Sequence, residues 1–288
     1  MTCEPLPPDV LAALQEGSPE RITCHAEPIR GSSGAATATL TRLTVQTHHK
    51  TLVRKELHPI RTGRHAPFAT DPRHWAYWRR EPLAYASGLL PTGPGLTTPH
   101  CYATVDNVLY LEDVQGKPEA PATAAARLAV WQAATPLPDV PWLGGHQLPQ
   151  RLRATTWTPV DADPRIERLW RQRDDLLARL AGLPTVLSHG DFSAGNILAT
   201  PTGATVLLDW ATLSAGPVGA DLAALALSTF TDPLDAYLAG TDRFARADVE
   251  LGYRATLALT GAGRVHWMLS RGMPVPDGYE EFILSRRP

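Results

Sequence analysis

The 288-residue sequence predicts an α+β chain of two lobes, a small β-rich one followed by a larger, mainly helical one. Three observations carry this expectation. From Ile22 to Leu57 the chain is rich in Thr, Val and Leu and lacks helical periodicity, which reads as strands. After Gly116, apolar residues recur at three- and four-residue steps, as amphipathic helices require. Between the two regimes, Glu112 to Pro118 is polar and broken by Gly and Pro, as a linker would be. The expected division is residues 1–111, a hinge at 112–118, and a helical lobe at 119–288.

In chain order, the strands expected first are one ending near Ile29, one from Ala36 to Val45 and one from Thr51 to Leu57. Gly31-Ser32-Ser33-Gly34 forms a turn between the first two. Asp71-Pro72 has the pattern of a helix start, and that helix would run through Trp75, Trp78 and Glu81 toward Leu90, kinked or restarted at Pro82. Pro91 to Pro99 reads as loop and Asn107 to Val114 as a short strand. Thr123–Ala134 and Pro164–Leu183 are expected helices. A compact strand region follows, Thr185–Leu187, Ile197–Leu198 and Thr205–Leu208, the last two joined by a Pro201-Thr202-Gly203 turn. Helical patterns return at Ala220–Leu227 and Ala247–Met268.

Composition bounds the function. A hydrophobic share of 43% with 19% charged residues is that of a soluble globular protein. No apolar run reaches membrane-spanning length, and the N-terminus, with Glu4, Asp9 and several prolines, lacks the marks of a signal peptide, so the chain is expected to be cytoplasmic. With 27 basic and 29 acidic residues, the net charge of −2 argues against a nucleic-acid partner. Cys3, Cys24 and Cys101 form no C-x-x-C pair and are expected as reduced packing thiols. Only Lys50, Lys55 and Lys117 are lysines, against 24 arginines, so a retained lysine suggests a place that needs a compact ammonium.

The most informative segment is Ser188-His189-Gly190-Asp191-Phe192-Ser193-Ala194-Gly195-Asn196, followed by Leu207-Leu208-Asp209-Trp210. Phosphoryl transfer to a hydroxyl asks for a carboxylate that orients the hydroxyl and takes its proton, and for oxygen ligands to magnesium on the nucleotide phosphates. Magnesium takes only one or two protein ligands beside phosphate and water. Asp191 and Asn196, five residues apart on one loop, suit the base and one ligand; Asp209, at the end of an apolar strand, suits the second. The hairpin through Pro201–Gly203 would bring Asn196 and Asp209 together.

These segments resemble the phosphotransferase superfamily of aminoglycoside phosphotransferases, choline kinases and homoserine kinases. The resemblance implies a bilobal, protein-kinase-like fold, with His-Gly-Asp where protein kinases carry His-Arg-Asp. It implies Asp191 as catalytic base, Asn196 and Asp209 as Mg2+ ligands, and ATP or GTP as phosphate donor. It further implies that Lys55 touches the α- and β-phosphates and is held by Glu81, with Glu56 on the other strand face. Gly31, Ser32, Ser33 and Gly34 would cover the phosphates. Glu112 and Val114 would hydrogen-bond the purine through their backbones, with Leu111 at the back. Asp221 matches a mainly structural aspartate that holds the catalytic loop, by way of His189.

The implied partner is a hydroxylated small molecule, an antibiotic of aminoglycoside or nucleoside type, or else an amino alcohol, sugar or natural-product precursor. For a cationic acceptor the candidate contacts are Asp161, Asp163, Asp232, Asp235, Asp277, Glu280 and Glu281. Trp142, Trp157 and Trp267 could line a ring pocket, and Arg264 and His266 could bind an anion. A silent nucleotide-binding fold is disfavoured because Asp191, Asn196 and Asp209 are all present. A protein kinase is disfavoured because the stretch from Asp209 to Asp221 is too short for a peptide-docking loop.

Overall fold

The computed structural model describes residues 6–14, 24–29, 36–45 and 50–288, so the predicted turn Gly31–Gly34 lies outside the described residues. The mixed α+β architecture is as expected, with a β-rich N-terminal part and a helical C-terminal part. Helix α1 (Pro8–Ala13) precedes strands β1 (Cys24–Pro28), β2 (Thr37–Val45) and β3 (Lys50–Leu57). Then come helix α2 (Arg80–Ala86), β4 (Leu96–Thr97), β5 (Cys101–Val105) and β6 (Val108–Glu112). Five of these strands form an antiparallel sheet in the order β1-β2-β3-β6-β5. Alternation along β3 gives the sheet two different faces. Leu52 packs with Val10, Leu14, Leu43, Val45 and Tyr110 on one side, while Val53 and Lys55 look into a cavity on the other.

Two local expectations are corrected here. The helix expected from Asp71 toward Leu90 is only Arg80–Ala86. Pro82 falls in its first turn, where an amide is not needed, and its ring would strike the Trp78 carbonyl of any longer helix. The Arg80 guanidinium also takes the carbonyls of Pro72, His74 and Trp75 at 2.8–3.0 Å, which extension of the helix upstream would need. Cys24 is disulfide-bonded rather than a reduced thiol, whereas Cys101 is free. Strand β4 lies within the expected Pro91–Pro99 loop, and β5 falls between that loop and the expected Asn107–Val114 strand; Asp106, at φ 54°, turns β5 into β6.

The C-terminal part contains β7 (Lys117–Pro118), α3 (Pro121–Ala134), α4 (Gln147–Arg153), α5 (Pro164–Arg171), α6 (Arg173–Ala181) and β8 (Thr185–Ser188). Strands β9 (Ile197–Ala199), β10 (Thr205–Leu207) and β11 (Ser214–Pro217) follow, then α7 (Ala220–Thr229), α8 (Leu234–Gly240), α9 (Arg246–Leu269) and α10 (Tyr279–Leu284). A second sheet runs β4-β10-β9-β7, so strands from either side of Glu112–Gly116 meet beside the β9–β10 hairpin. The single helix expected over Pro164–Leu183 is two, broken at Gln172, whose amide is shared between the Arg168 and Leu169 carbonyls. Asp163 caps α5 through the Arg165 amide at 2.8 Å, with Pro164 in the first position. Helix α9 is buried along most of its length, and Gly252 lets it approach closely: a Cβ there would fall 1.8 Å from the Val218 carbonyl oxygen. Among the described residues no helix is long and apolar enough to cross a membrane.

Candidate active site

The His189-Gly190-Asp191 segment follows β8 and is held by buried hydrogen bonds. Gly190 has φ +81°, and a Cβ there would sit 2.6 Å from the Thr212 carbonyl oxygen, so no larger residue fits. Asp221, buried at the start of α7, accepts the His189 amide at 2.9 Å and the Gly190 amide at 2.8 Å. The expected role of Asp221 thus acts on the backbone, not on the His189 ring. That ring instead accepts the Asp191 amide at Nδ1 (3.2 Å), which leaves Nε2–H to donate to the Leu208 carbonyl at 2.9 Å. Gln132 donates to Asp221 at 3.1 Å and is itself held by the Tyr237 hydroxyl at 2.7 Å. Removing Asp221 would leave the His189 and Gly190 amides unpaired, each a loss of about 1–3 kcal/mol, while Gln132 keeps the Leu187 carbonyl and the Tyr237 hydroxyl. Asp221→Ala is therefore expected to lower unfolding stability by at least about 2 kcal/mol. Denaturant titration checks this, and an unchanged midpoint would contradict it.

Asp191 and Asn196 are brought together directly. The Asn196 amide nitrogen donates to the Asp191 backbone carbonyl at 2.9 Å and to its carboxylate at 3.0 Å. The β9–β10 hairpin then does what the turn at Gly203 suggests: the Leu208 amide bonds the Asn196 carbonyl at 2.8 Å, which sets Asp209 beside Asn196. Asp209 has a left-handed backbone, φ 61°, which aspartate tolerates better than most residues. The following Trp210 is fully buried and pinned through its indole N–H to Thr98 and the Leu207 carbonyl.

Lys55 lies between two carboxylates, 2.6 Å from Glu81 and 2.9 Å from Asp209. Burial works against its charge, but Glu81 and Asp209 outweigh burial and raise the ammonium above its ordinary range. Burial also opposes the Asp209 carboxylate, yet Lys55 holds it below the usual carboxylate range. Complete burial pushes the Glu81 carboxyl up, against the pull of Lys55. Arg80, next to Glu81, carries no motif in the sequence that marks its role. It is fully buried and donates to five carbonyls, those of Pro72, His74, Trp75, Trp142 and Ala211, at 2.8–3.4 Å. It thereby ties the helix of Glu81 to the turn after Asp209. Glu56 faces away from Lys55 and accepts from Thr39.

A cavity of about 610 Å³ contains this group. Lys55, Glu81, Asp191, Asn196 and Asp209 line it, and Leu111, Glu112 and Val114 form part of its wall. Arg42 of β2 pairs with Asp113 at 2.7 Å on the same wall, a contact the sequence did not suggest. Asn196 and Asp209 offer a carboxamide and a carboxylate to one cavity, hard oxygen donors that fit magnesium.

On the other side of Asp191 two hollows and a wider cleft meet at Arg151. None of the seven acidic residues considered for a cationic acceptor lines them. Asp163 pairs with Arg165, Asp232 with Arg286 and Asp235 with Arg246. Trp157 stacks on His266 at 4.6 Å, and the His266 Nε2 accepts the Thr158 amide at 3.0 Å, so this histidine is tied internally. Trp267 is exposed at the cleft and Arg264 lines it. His146, in the hollow beside Asp191, is pushed down to about 4 by burial. The unfolded chain protonates it near pH 6.5, so its contribution to stability is full above that pH and disappears as pH falls through about 4. His146→Gln is expected to remove about 3 kcal/mol of acid-induced loss across that window. Stability curves at pH 7 and pH 4 check this, and identical acid losses in variant and parent would contradict it.

Comparison with known proteins agrees with this geometry. No curated protein matches the chain in sequence. Among solved structures, choline kinase LicA from Streptococcus pneumoniae has a TM-score of 0.57 at 16% identity, over 96% of each chain. Macrolide 2'-phosphotransferase MphH from Brachybacterium faecium has a TM-score of 0.53 at 15% identity, over 97% of each chain. At such identities these likenesses establish the fold, a protein-kinase-like one. The profile of the phosphotransferase enzyme family (APH) matches residues 33–258. Matched over well more than half its length, the chain belongs to the phosphotransferase enzyme family and is a small-molecule O-phosphotransferase.

Proposed function

We propose that this enzyme moves the terminal phosphoryl group of ATP to a hydroxyl of a small molecule, with Asp191 as base. One observation carries the reading: Lys55, clamped by Glu81 and Asp209, shares a cavity with Asp191 and Asn196. A buried, preorganised ammonium suits phosphate oxygens because it needs no reorganisation when charge builds on them. The purine of ATP, or of GTP, would lie against Leu111, Glu112 and Val114, which places the phosphates toward Lys55. A similar structure, that of LicA, has been solved with AMP, which supports an adenine nucleotide here.

Asp191 accepts the hydroxyl proton as the hydroxyl oxygen bonds the γ-phosphorus and the β–γ bridging oxygen leaves with ADP. Asn196 fixes the Asp191 carboxylate by its 3.0 Å hydrogen bond. Asn196 and Asp209 would hold magnesium, which supplies charge neutralisation on the phosphates. The acceptor is an antibiotic under one reading and a metabolite or biosynthetic precursor under the other; structural neighbours of both kinds exist. Asp209→Ala is expected to weaken Mg-ATP binding by at least about tenfold, one decade for each 1.4 kcal/mol of lost interaction. Calorimetry reads this directly, and an unchanged affinity would remove Asp209 from the ligand set.

A further inference from the structure

The cleft beside the site, about 650 Å³, has an unusual wall. Arg64, Arg151, Arg264 and Arg271 all line it, and among the described residues no aspartate or glutamate does. Several arginines elsewhere are paired with carboxylates, among them Arg165, Arg171, Arg246, Arg254 and Arg286. The four around the cleft form no ion pair among the described residues. Their hydrogen bonds go to uncharged acceptors, as Arg64 to the Ala154 carbonyl and Arg271 to the Trp267 carbonyl.

Arg151 is the link to the chemistry. It lines the cleft and also both hollows that Asp191 lines, one of which Arg264 shares. Its guanidinium lies over the Trp75 ring at 4.1 Å, and its buried Nε has no hydrogen-bond partner among the described residues. The buried indole N–H of Trp75, on the same wall, also lacks one. Burial lowers the Arg151 guanidinium to about 10; Asp191 works against that, and Arg264 and Arg64 add to it. At neutral pH it therefore remains a cation. Buried polar groups without partners and several like charges around one opening are costly to keep unless something of opposite charge completes them. The neutralising group cannot be a choline or an aminoglycoside, whose ammonium groups this wall repels.

We propose that the acceptor carries an anionic group, a carboxylate or a phosphate, which Arg151 and Arg264 bind while its hydroxyl meets Asp191. This rests on the phosphotransfer reading above and narrows it to hydroxy acids and phosphorylated alcohols or sugars. Arginine suits the task because its planar fork meets either anion with two parallel hydrogen bonds.

The test uses the full chain with the nucleotide site first filled by Mg2+ and a non-hydrolysable ATP analogue. Inorganic phosphate and acetate are then titrated separately by calorimetry into the parent, Arg264→Gln and Arg64→Gln. One anion is expected to bind at a single site, and the tighter of the two names the acceptor's group. Arg264→Gln should weaken that binding at least about tenfold, corresponding to loss of one charge-assisted contact. Its melting temperature and nucleotide affinity should hold. Arg64→Gln, farther along the wall, should weaken it less. Nucleotide bound but neither anion bound, or binding indifferent to both variants, overturns the proposal. No nucleotide binding overturns instead the reading beneath it. In turnover, a matched panel of hydroxy acids and sugar phosphates against amino alcohols and aminoglycosides gives the second readout. Phosphorylation of anionic acceptors, with KM raised in Arg264→Gln and kcat little changed, supports the proposal. Phosphorylation confined to cationic or uncharged acceptors refutes it.

Discussion

Asp191→Asn is expected to lower kcat by about 10²- to 10⁴-fold, the usual contribution of a positioned general base. The substitution is chosen to isolate that role. Asparagine keeps the size of the side chain and an oxygen that can accept from the Asn196 amide, as the carboxylate does at 3.0 Å. It cannot take the proton. Because the base acts on the acceptor rather than on the nucleotide, the Kd for Mg-ATP should stay within about twofold, well under the 1.4 kcal/mol that a decade requires. Steady-state rates and calorimetry on the same preparation check both halves. Turnover within tenfold of the parent would remove Asp191 from the mechanism.

Lys55→Met is expected to have the largest effect on stability, a loss of about 3–5 kcal/mol, as when one partner of a buried ion pair is removed. The reason lies in its neighbours. Glu81 is 1% exposed and would be left with no cation, while Asp209, 33% exposed, can regain water. Glu81 would take up a proton or unfold its surroundings. The pH dependence follows from the directions of the shifts. Lys55 titrates above its unfolded value of 10.5, so its contribution is complete below that pH and fades only beyond it. Asp209 titrates below 3.8, so its share is present above that value and fades in acid. Glu81, raised by burial and no longer opposed by Lys55, must hold a proton in the folded variant, so the loss in Lys55→Met should grow as pH rises from mildly acid to neutral. A loss under about 1 kcal/mol, the worth of a surface pair, would show that the triad is not buried as described.

The legible part of the molecule is the part written locally. Asp191, Asn196 and Asp209 stand on one loop and one hairpin, and a Pro-Thr-Gly turn is enough to bring two of them together. The alternation in β3 likewise placed Lys55 and Glu56 on opposite faces without any tertiary information. What failed was set by distant contacts. Asp71-Pro72 carries the pattern of a helix start, but Arg80 claims the carbonyls of that segment and the helix begins nine residues later. The reach of Asp221 to the amides of His189 and Gly190 depends on how the start of α7 meets the loop after β8, which no spacing encodes. The arginines of the cleft are the clearest case. Arg64, Arg151 and Arg264 are scattered along the chain among 24 arginines, and only the fold makes them neighbours of one opening. Of the sequence's candidates for acceptor contacts, Arg264 and His266 lie on this wall and the seven acidic residues do not.

The most direct test of the central claim is a mass-spectrometric screen of the purified chain with Mg-ATP against hydroxylated small molecules. The panel spans hydroxy acids, sugar phosphates, nucleosides, amino alcohols and aminoglycosides, run in parallel with Asp191→Asn. The account predicts an acceptor that gains one phosphate with the parent and not with the variant, with ADP formed in equal amount. An acceptor phosphorylated equally by both proteins would contradict it.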